Sequence, residues 1–154
     1  MILCRKSGFV LLAILLLSSA AAMRAEDWPQ WRGPNRDGVW SETGILQTFP
    51  AKGLRIRWRV TVGPGWSSPV IARGRVYLTD MRLAKPRAWE RIQCFKESSG
   101  KLLWSRESEL VSYPDWAFIP EHGGGPAATP IVEAGRIYSL GRNGRVDCLD
   151  ARNG

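Results

Sequence analysis

The residues with most chemical potential in this 154-residue chain are few and scattered. His122 is the sole histidine, and it opens a His-Gly-Gly-Gly run (122–125) whose backbone can approach a ligand closely. The run is not a phosphate loop, because neither Gly-Lys-Ser/Thr nor a helix follows it. A lone histidine is more often surface decoration than a binding group. Cys94 and Cys148 invite a disulfide in an oxidising compartment, but no Cys-x-x-Cys or Cys/His metal spacing occurs. Arg55, Arg57 and Arg59 alternate along one segment, a row that could bind phosphate but more often keeps an edge strand soluble. Residues 27–38, DWPQWRGPNRDG, crowd two tryptophans beside two arginines, an arrangement suited to cation–π contact.

These groups need a scaffold, and the pattern of the chain says which kind. Arg5 and Lys6 precede an apolar run, Phe9 to Leu17, and Ser18 to Ala22 supply small residues for signal peptidase. The run is shorter than the roughly 20 residues of a spanning helix. Residues 1–22 are therefore expected to be a signal peptide, which places the mature chain in the periplasm or outside the cell, with no transmembrane segment left after cleavage. The formal charge of +8 loses Arg5 and Lys6 with the signal and becomes +6. No block of basic residues exceeds two in a row, so the charge reads as a solvated surface, and specific nucleic-acid binding is not expected.

Beyond the signal, short β-branched and apolar runs alternate with polar residues, and Gly or Pro punctuates them, which indicates an all-β chain. The clearest strand is Leu54 to Val62: Leu54, Ile56, Trp58, Val60 and Val62 point one way, and Arg55, Arg57, Arg59 and Thr61 the other. A repeat then emerges. SSPVIARGRVY (67–77) matches ATPIVEAGRIY (128–138) at an offset of 61, with Gly74 over Gly135. CFKESSG (94–100) matches CLDARNG (148–154) at an offset of 54, with the longer connection MRLAKPRAWE (81–90) in the first copy. KLLWS carries Trp104, and Trp58 stands 46 residues earlier, close to the period of a four-stranded propeller blade.

CFKESSGKLLW (94–104) resembles the quinoprotein-type, or PQQ-like, β-propeller repeat, whose blades close with a pattern close to A-L-D-A-x-T-G-K-x-x-W. CLDARNG (148–154) is the closer match to its first half, with Asp150 and Gly154 in place. The opening DWPQWRGPNRDG resembles that of exported bacterial propellers with these repeats. The first copy departs at Lys96 and Ser99, where Asp and Thr are usual, but keeps Gly100, Lys101 and Trp104. The resemblance implies a β-propeller of four-stranded blades, incomplete here: one full blade, one partial blade, and strand 54–62 as a closing strand for a last blade. It divides the chain into a signal (1–22), an N-terminal anchoring segment (23–53) with Trp28 and Trp31 packed on the propeller, and a partial propeller (54–154). It makes Trp58 and Trp104 blade-docking residues, and it places Cys94 and Cys148 in equivalent slots, as two buried free thiols too far apart to pair.

Up-and-down connectivity puts the tight turns at Arg73-Gly74, Ser99-Gly100, Ala134-Gly135 and Asn153-Gly154 on one face. The connections 63–67, 81–90, 105–127 and 142–144 fall on the other, so Trp66, Trp89, Trp116 and His122 form the candidate ligand face. The expected function is a non-catalytic binding or assembly scaffold for a protein, peptide or carbohydrate partner, with no catalytic, cofactor-binding or metal residue. The alternative is a dehydrogenase using PQQ and calcium, but no adjacent Cys-Cys pair occurs and no acidic residue matches that family's calcium or catalytic positions.

Overall fold

A computed structural model describes residues 26–110 and 124–154, and these form two antiparallel sheets with no helix. The signal segment, Trp116 and His122 lie outside the described residues. The first sheet runs β1 (Val70–Ala72), β2 (Arg75–Ala84), β3 (Arg87–Lys96) and β4 (Leu102–Glu109), in that spatial order. The second runs β5 (Ile131–Glu133), β6 (Arg136–Leu140) and β7 (Val146–Asp150). The repeat is thus two copies of one meander, four strands and then three. Its tight turns have the expected chemistry: Arg73 and Ala134 take positive φ before Gly74 and Gly135.

The two copies share one core. Val70, Ala72, Tyr77, Ile92, Cys94 and Trp104 of the first sheet pack with Ile137 and Ala151 of the second, and Val132 and Leu149 flank them. Each fully buried large side chain here contributes about 1.5–3 kcal/mol of transfer free energy. A smaller cluster of Met81, Ala88 and Leu110 caps the far end of the first sheet, where the Leu110 amide donates to the Ala88 carbonyl at 2.9 Å.

Residues 54–62 join no ladder among the described residues, as expected of a strand whose partners belong to a last blade. Leu54, Ile56 and Val62 are exposed, because the alternating pattern sets up a strand but only a neighbouring strand can bond it. Three expectations are corrected. The segment 81–90 is not a loop; β2 and β3 pair through Ala84↔Arg87, leaving only Lys85-Pro86 as the turn. Trp89 is therefore a strand residue, with the Arg82 guanidinium 3.7 Å above its ring. Both thiols are free, and Cys94 is buried as expected, but Cys148 is exposed, because no strand lies beside β7 among the described residues.

The opening segment runs along the inner edge of both sheets. Trp28 exchanges backbone hydrogen bonds with Ile71 of β1, at 2.7 and 2.9 Å, and the Pro29 carbonyl accepts from Val132 of β5 at 2.8 Å. The Asp27 carboxylate caps the Arg73 amide at 3.0 Å. Trp28 packs its ring on Gly33. Trp31 departs from expectation: it is 61% exposed, having passed beyond the edge of β1.

Candidate functional site

Two tryptophans repeat one contact, and one of them, Trp104, forms the seam between the sheets. Trp104, on β4, lies over Gly154, where an added Cβ would fall 2.8 Å from the indole. Its Nε1 donates to the Ala151 carbonyl at 3.2 Å. Trp58 lies over Gly100, where a Cβ would fall 2.7 Å from its ring, and its Nε1 donates to the Glu97 carbonyl at 2.6 Å. Glu97 and Gly100 precede Ala151 and Gly154 by the same 54 residues that separate the repeats. Both glycines also take φ near +70°, which side chains rarely adopt. Each tryptophan thus closes on the turn of the sheet that follows it. The turns themselves differ: the Asp150 carboxylate accepts from the Arg152 and Asn153 amides at 2.7 and 3.3 Å, whereas Lys96 offers no such acceptor and Ser99 reaches only the Lys101 amide, at 3.4 Å.

Tyr77 joins the same seam. Its hydroxyl donates to the Ala151 carbonyl at 2.9 Å, and its ring lies 6.1 Å from that of Trp104. Burial, seconded by the adjacent Cys94, pushes its pKa up to about 12. Burial also raises the Cys94 thiol, against Arg75, so it is no poised nucleophile. An unfolded tyrosine ionises near pH 10. Between about pH 10 and 12 the folded chain therefore holds a proton that the unfolded chain has lost, and stability must fall as pH rises through that window. Tyr77→Phe should flatten this alkaline loss while costing only about 1 kcal/mol at neutral pH, because Ala151 keeps its bond from Trp104. Denaturant midpoints measured from pH 8 to 12 check both parts.

Several cavities adjoin these elements. One, of about 560 Å³, opens between the sheets on the tight-turn face, not on the long-connection face. Its rim mixes Arg73, Arg75 and Arg152 with Asp27, Glu133 and Asp150, and several of these are already engaged in holding turns: Arg75 donates to the Arg152 carbonyl at 2.9 Å. A second, of about 150 Å³, lies between charged strands and includes Arg91, Arg106, Glu107 and Asp147. There Arg82 holds the Glu107 carboxyl below its usual range by hydrogen bonding.

A third is a shallow hollow of about 340 Å³ lined by Trp31, Trp66, Ala127 and Thr129. Trp66 is 72% exposed, and its amide donates to the Pro126 carbonyl at 2.9 Å. It lies on the long-connection face, where the sequence places Trp66 but gives no sign of Trp31. The opening segment carries Trp31 there by following the inner sheet edge. Trp89 stands in β3 near the Lys85-Pro86 turn and is not one of the residues that line this hollow. Gly125, part of the candidate glycine run, instead packs against the backbone of Pro64 and Gly65.

Among the described residues, no group of three or more His, Cys, Asp or Glu gathers in a way that could hold a metal ion, and no helix is long and apolar enough to cross a membrane. No protein-family model matches the chain, and no curated protein matches it.

Proposed function

We propose that the chain is part of an exported β-propeller of PQQ-like repeats that serves as a non-catalytic binding scaffold. The observation that carries this reading is the Trp31–Trp66 hollow. Two exposed indoles, brought from distant segments, share a shallow surface with Ala127 and Thr129, and among the described residues no ionisable side chain lines it. Such a surface suits the apolar face of a sugar or an extended peptide, since indole rings give large contact area at small entropic cost. The repeated tryptophan–glycine contact supports the propeller part of the reading, because Trp58 closes on the turn of the first sheet as Trp104 of the first sheet closes on the turn of the second.

Titration with panels of neutral oligosaccharides and of peptides, followed by tryptophan fluorescence, tests the scaffold. A ligand should bind wild type, and Trp66→Ala should weaken it by roughly tenfold or more, as expected for a central aromatic anchor. Equal binding by Trp31→Ala, Trp66→Ala and wild type would sink the hollow as the site. Dye-linked oxidation of alcohols or aldoses on adding PQQ and Ca²⁺ would overturn the non-catalytic reading in favour of the dehydrogenase.

A further inference from the structure

The 560 Å³ cavity on the tight-turn face has one wall in each sheet. Its inner lining is apolar: Ala72 and Tyr77 of the first sheet and Ala151 of the second are buried there, and Val132 is half-buried. Its rim carries three guanidiniums and three carboxylates, and these are unequally engaged. Both oxygens of Asp27 accept from the Arg73 amide at 3.0 Å. Asp150 Oδ1 accepts from the Arg152 and Asn153 amides of its own turn. Arg75 Nη1 donates to the Arg152 carbonyl at 2.9 Å. By contrast, the guanidiniums of Arg73 and Arg152 make no hydrogen bond or ion pair among the described residues. They come from turns of different sheets, both are exposed at one cavity, and the fold uses none of their donors. Asp27 and Asp150 lessen the mutual repulsion of the three cations while leaving these two forks open.

We propose that this cavity binds a small organic acid, its carboxylate taken by the guanidiniums of Arg73 and Arg152 and its carbon skeleton laid on the apolar lining. The site is separate from the Trp31–Trp66 hollow and rests on neither of those indoles. A planar guanidinium fork matches a carboxylate edge, and the charge-assisted bonds between them are about twice as strong as neutral ones. An apolar lining with a few convergent polar groups is the usual build of a small-molecule site. The charge of the rim selects among anions. Three cations and three anions sum to zero, so a single negative charge meets little net repulsion. A phosphate dianion or a polyanion sets more charge against Asp27, Glu133 and Asp150 and is disfavoured. Glu133, whose carboxylate has no partner among the described residues, is the anion that opposes the ligand most directly.

The test titrates the full chain by calorimetry with benzoate, hexanoate and glucuronate, and with their methyl esters and inorganic phosphate for comparison. At least one acid should bind saturably, more tightly than phosphate, while its ester does not bind. Arg73→Gln and Arg152→Gln should each weaken the acid by roughly fivefold to tenfold, and the double variant should abolish binding. Glu133→Gln should tighten it by about twofold or more, because an opposing charge is removed. Arg57→Gln, at an exposed guanidinium away from the cavity, should leave it unchanged. The side chains of Arg73, Arg152 and Glu133 are exposed and hold nothing in the fold, so these variants should keep the wild-type circular dichroism and urea midpoint. No saturable binding of any acid, an ester or phosphate that binds as well as the acid, or acid binding indifferent to Arg73→Gln and Arg152→Gln would each overturn the proposal. Weaker binding in Glu133→Gln would do so too, by showing that the ligand presents a cation to the rim. Binding of neutral sugars or peptides at the hollow should be untouched by these variants, so failure here leaves the scaffold reading standing.

Discussion

Replacing Trp104 with alanine is expected to destabilise the chain by about 3–5 kcal/mol, the range for a large buried aromatic truncated in a packed site. Three losses combine. The indole is buried among Tyr77, Cys94 and Ile137 and closes the seam between the two sheets. Its removal exposes Gly154, a position shaped to receive a ring and not a side chain of its own. The bond from Nε1 to Ala151 also goes. That bond is the smallest part, because the Tyr77 hydroxyl still satisfies the same carbonyl. Trp104→Phe should accordingly recover more than half of the loss, since it restores ring area but not the donor. Urea unfolding with circular dichroism gives the comparison, with Trp40→Ala, at an exposed indole, as the control. If Trp104→Ala shifts the midpoint no further than Trp40→Ala, the seam does not depend on docking. Trp58→Ala should cost less than Trp104→Ala, because Trp58 is only partly buried against Gly100.

That ordering also shows what was legible in the residues. The meander was, because its signals are local: a glycine after a residue forced to positive φ, and alternation over a few positions on either side. A docking role for Trp58 and Trp104 was implied by the resemblance of 94–104 to the propeller repeat. The hairpin of β2 and β3 was hidden because its outer half is crowded with charge, which reads as a loop until the partners are seen across the strands. Arg82 meets Glu107 at 2.7 Å, Arg87 meets Glu109 at 3.6 Å and Arg91 meets Asp80 at 2.5 Å, each charge met by another strand of the same sheet and not by solvent alone. Pro86 did mark a turn, but a turn of two residues. Segment 54–62 shows the limit of such patterns. Its alternation is the clearest in the chain, yet alternation specifies faces and not a partner. The Trp31–Trp66 pairing was beyond reach for a third reason: it depends on the path of the opening segment along β1 and β5, which no spacing between residues 31 and 66 encodes.

Asp80 carries the second large expected effect. Its carboxylate is 1% exposed and lies opposite Arg91 in the β2–β3 register. Arg91 grips it with two bonds, at 2.8 and 2.5 Å, and the Gly63 amide donates to Oδ2 at 2.5 Å. Asp80→Ala should cost about 3–5 kcal/mol, because it strands a half-buried guanidinium and an amide without their acceptor. Asp80→Leu combined with Arg91→Leu should recover most of that, since the large term is the uncompensated charge and not the attraction itself. The second repeat has glycine at the matching position, Gly141, and there Glu90 of the first sheet reaches across to the Arg142 amide at 2.7 Å. The ion pair is therefore no requirement of the meander. It ties the connection 63–65 to the middle of β2, where the Met81 amide also donates to the Pro64 carbonyl at 2.9 Å. Trp66 follows directly, so Asp80 positions one wall of the aromatic hollow. Hydrogen exchange separates this role from general stability. In the double leucine variant, which should keep the fold, the Gly63 amide should exchange markedly faster than in wild type while the Trp66 amide, bonded to Pro126, changes less. Unchanged protection at Gly63 would show that the loop is held by other contacts and that Asp80 acts within its own sheet alone.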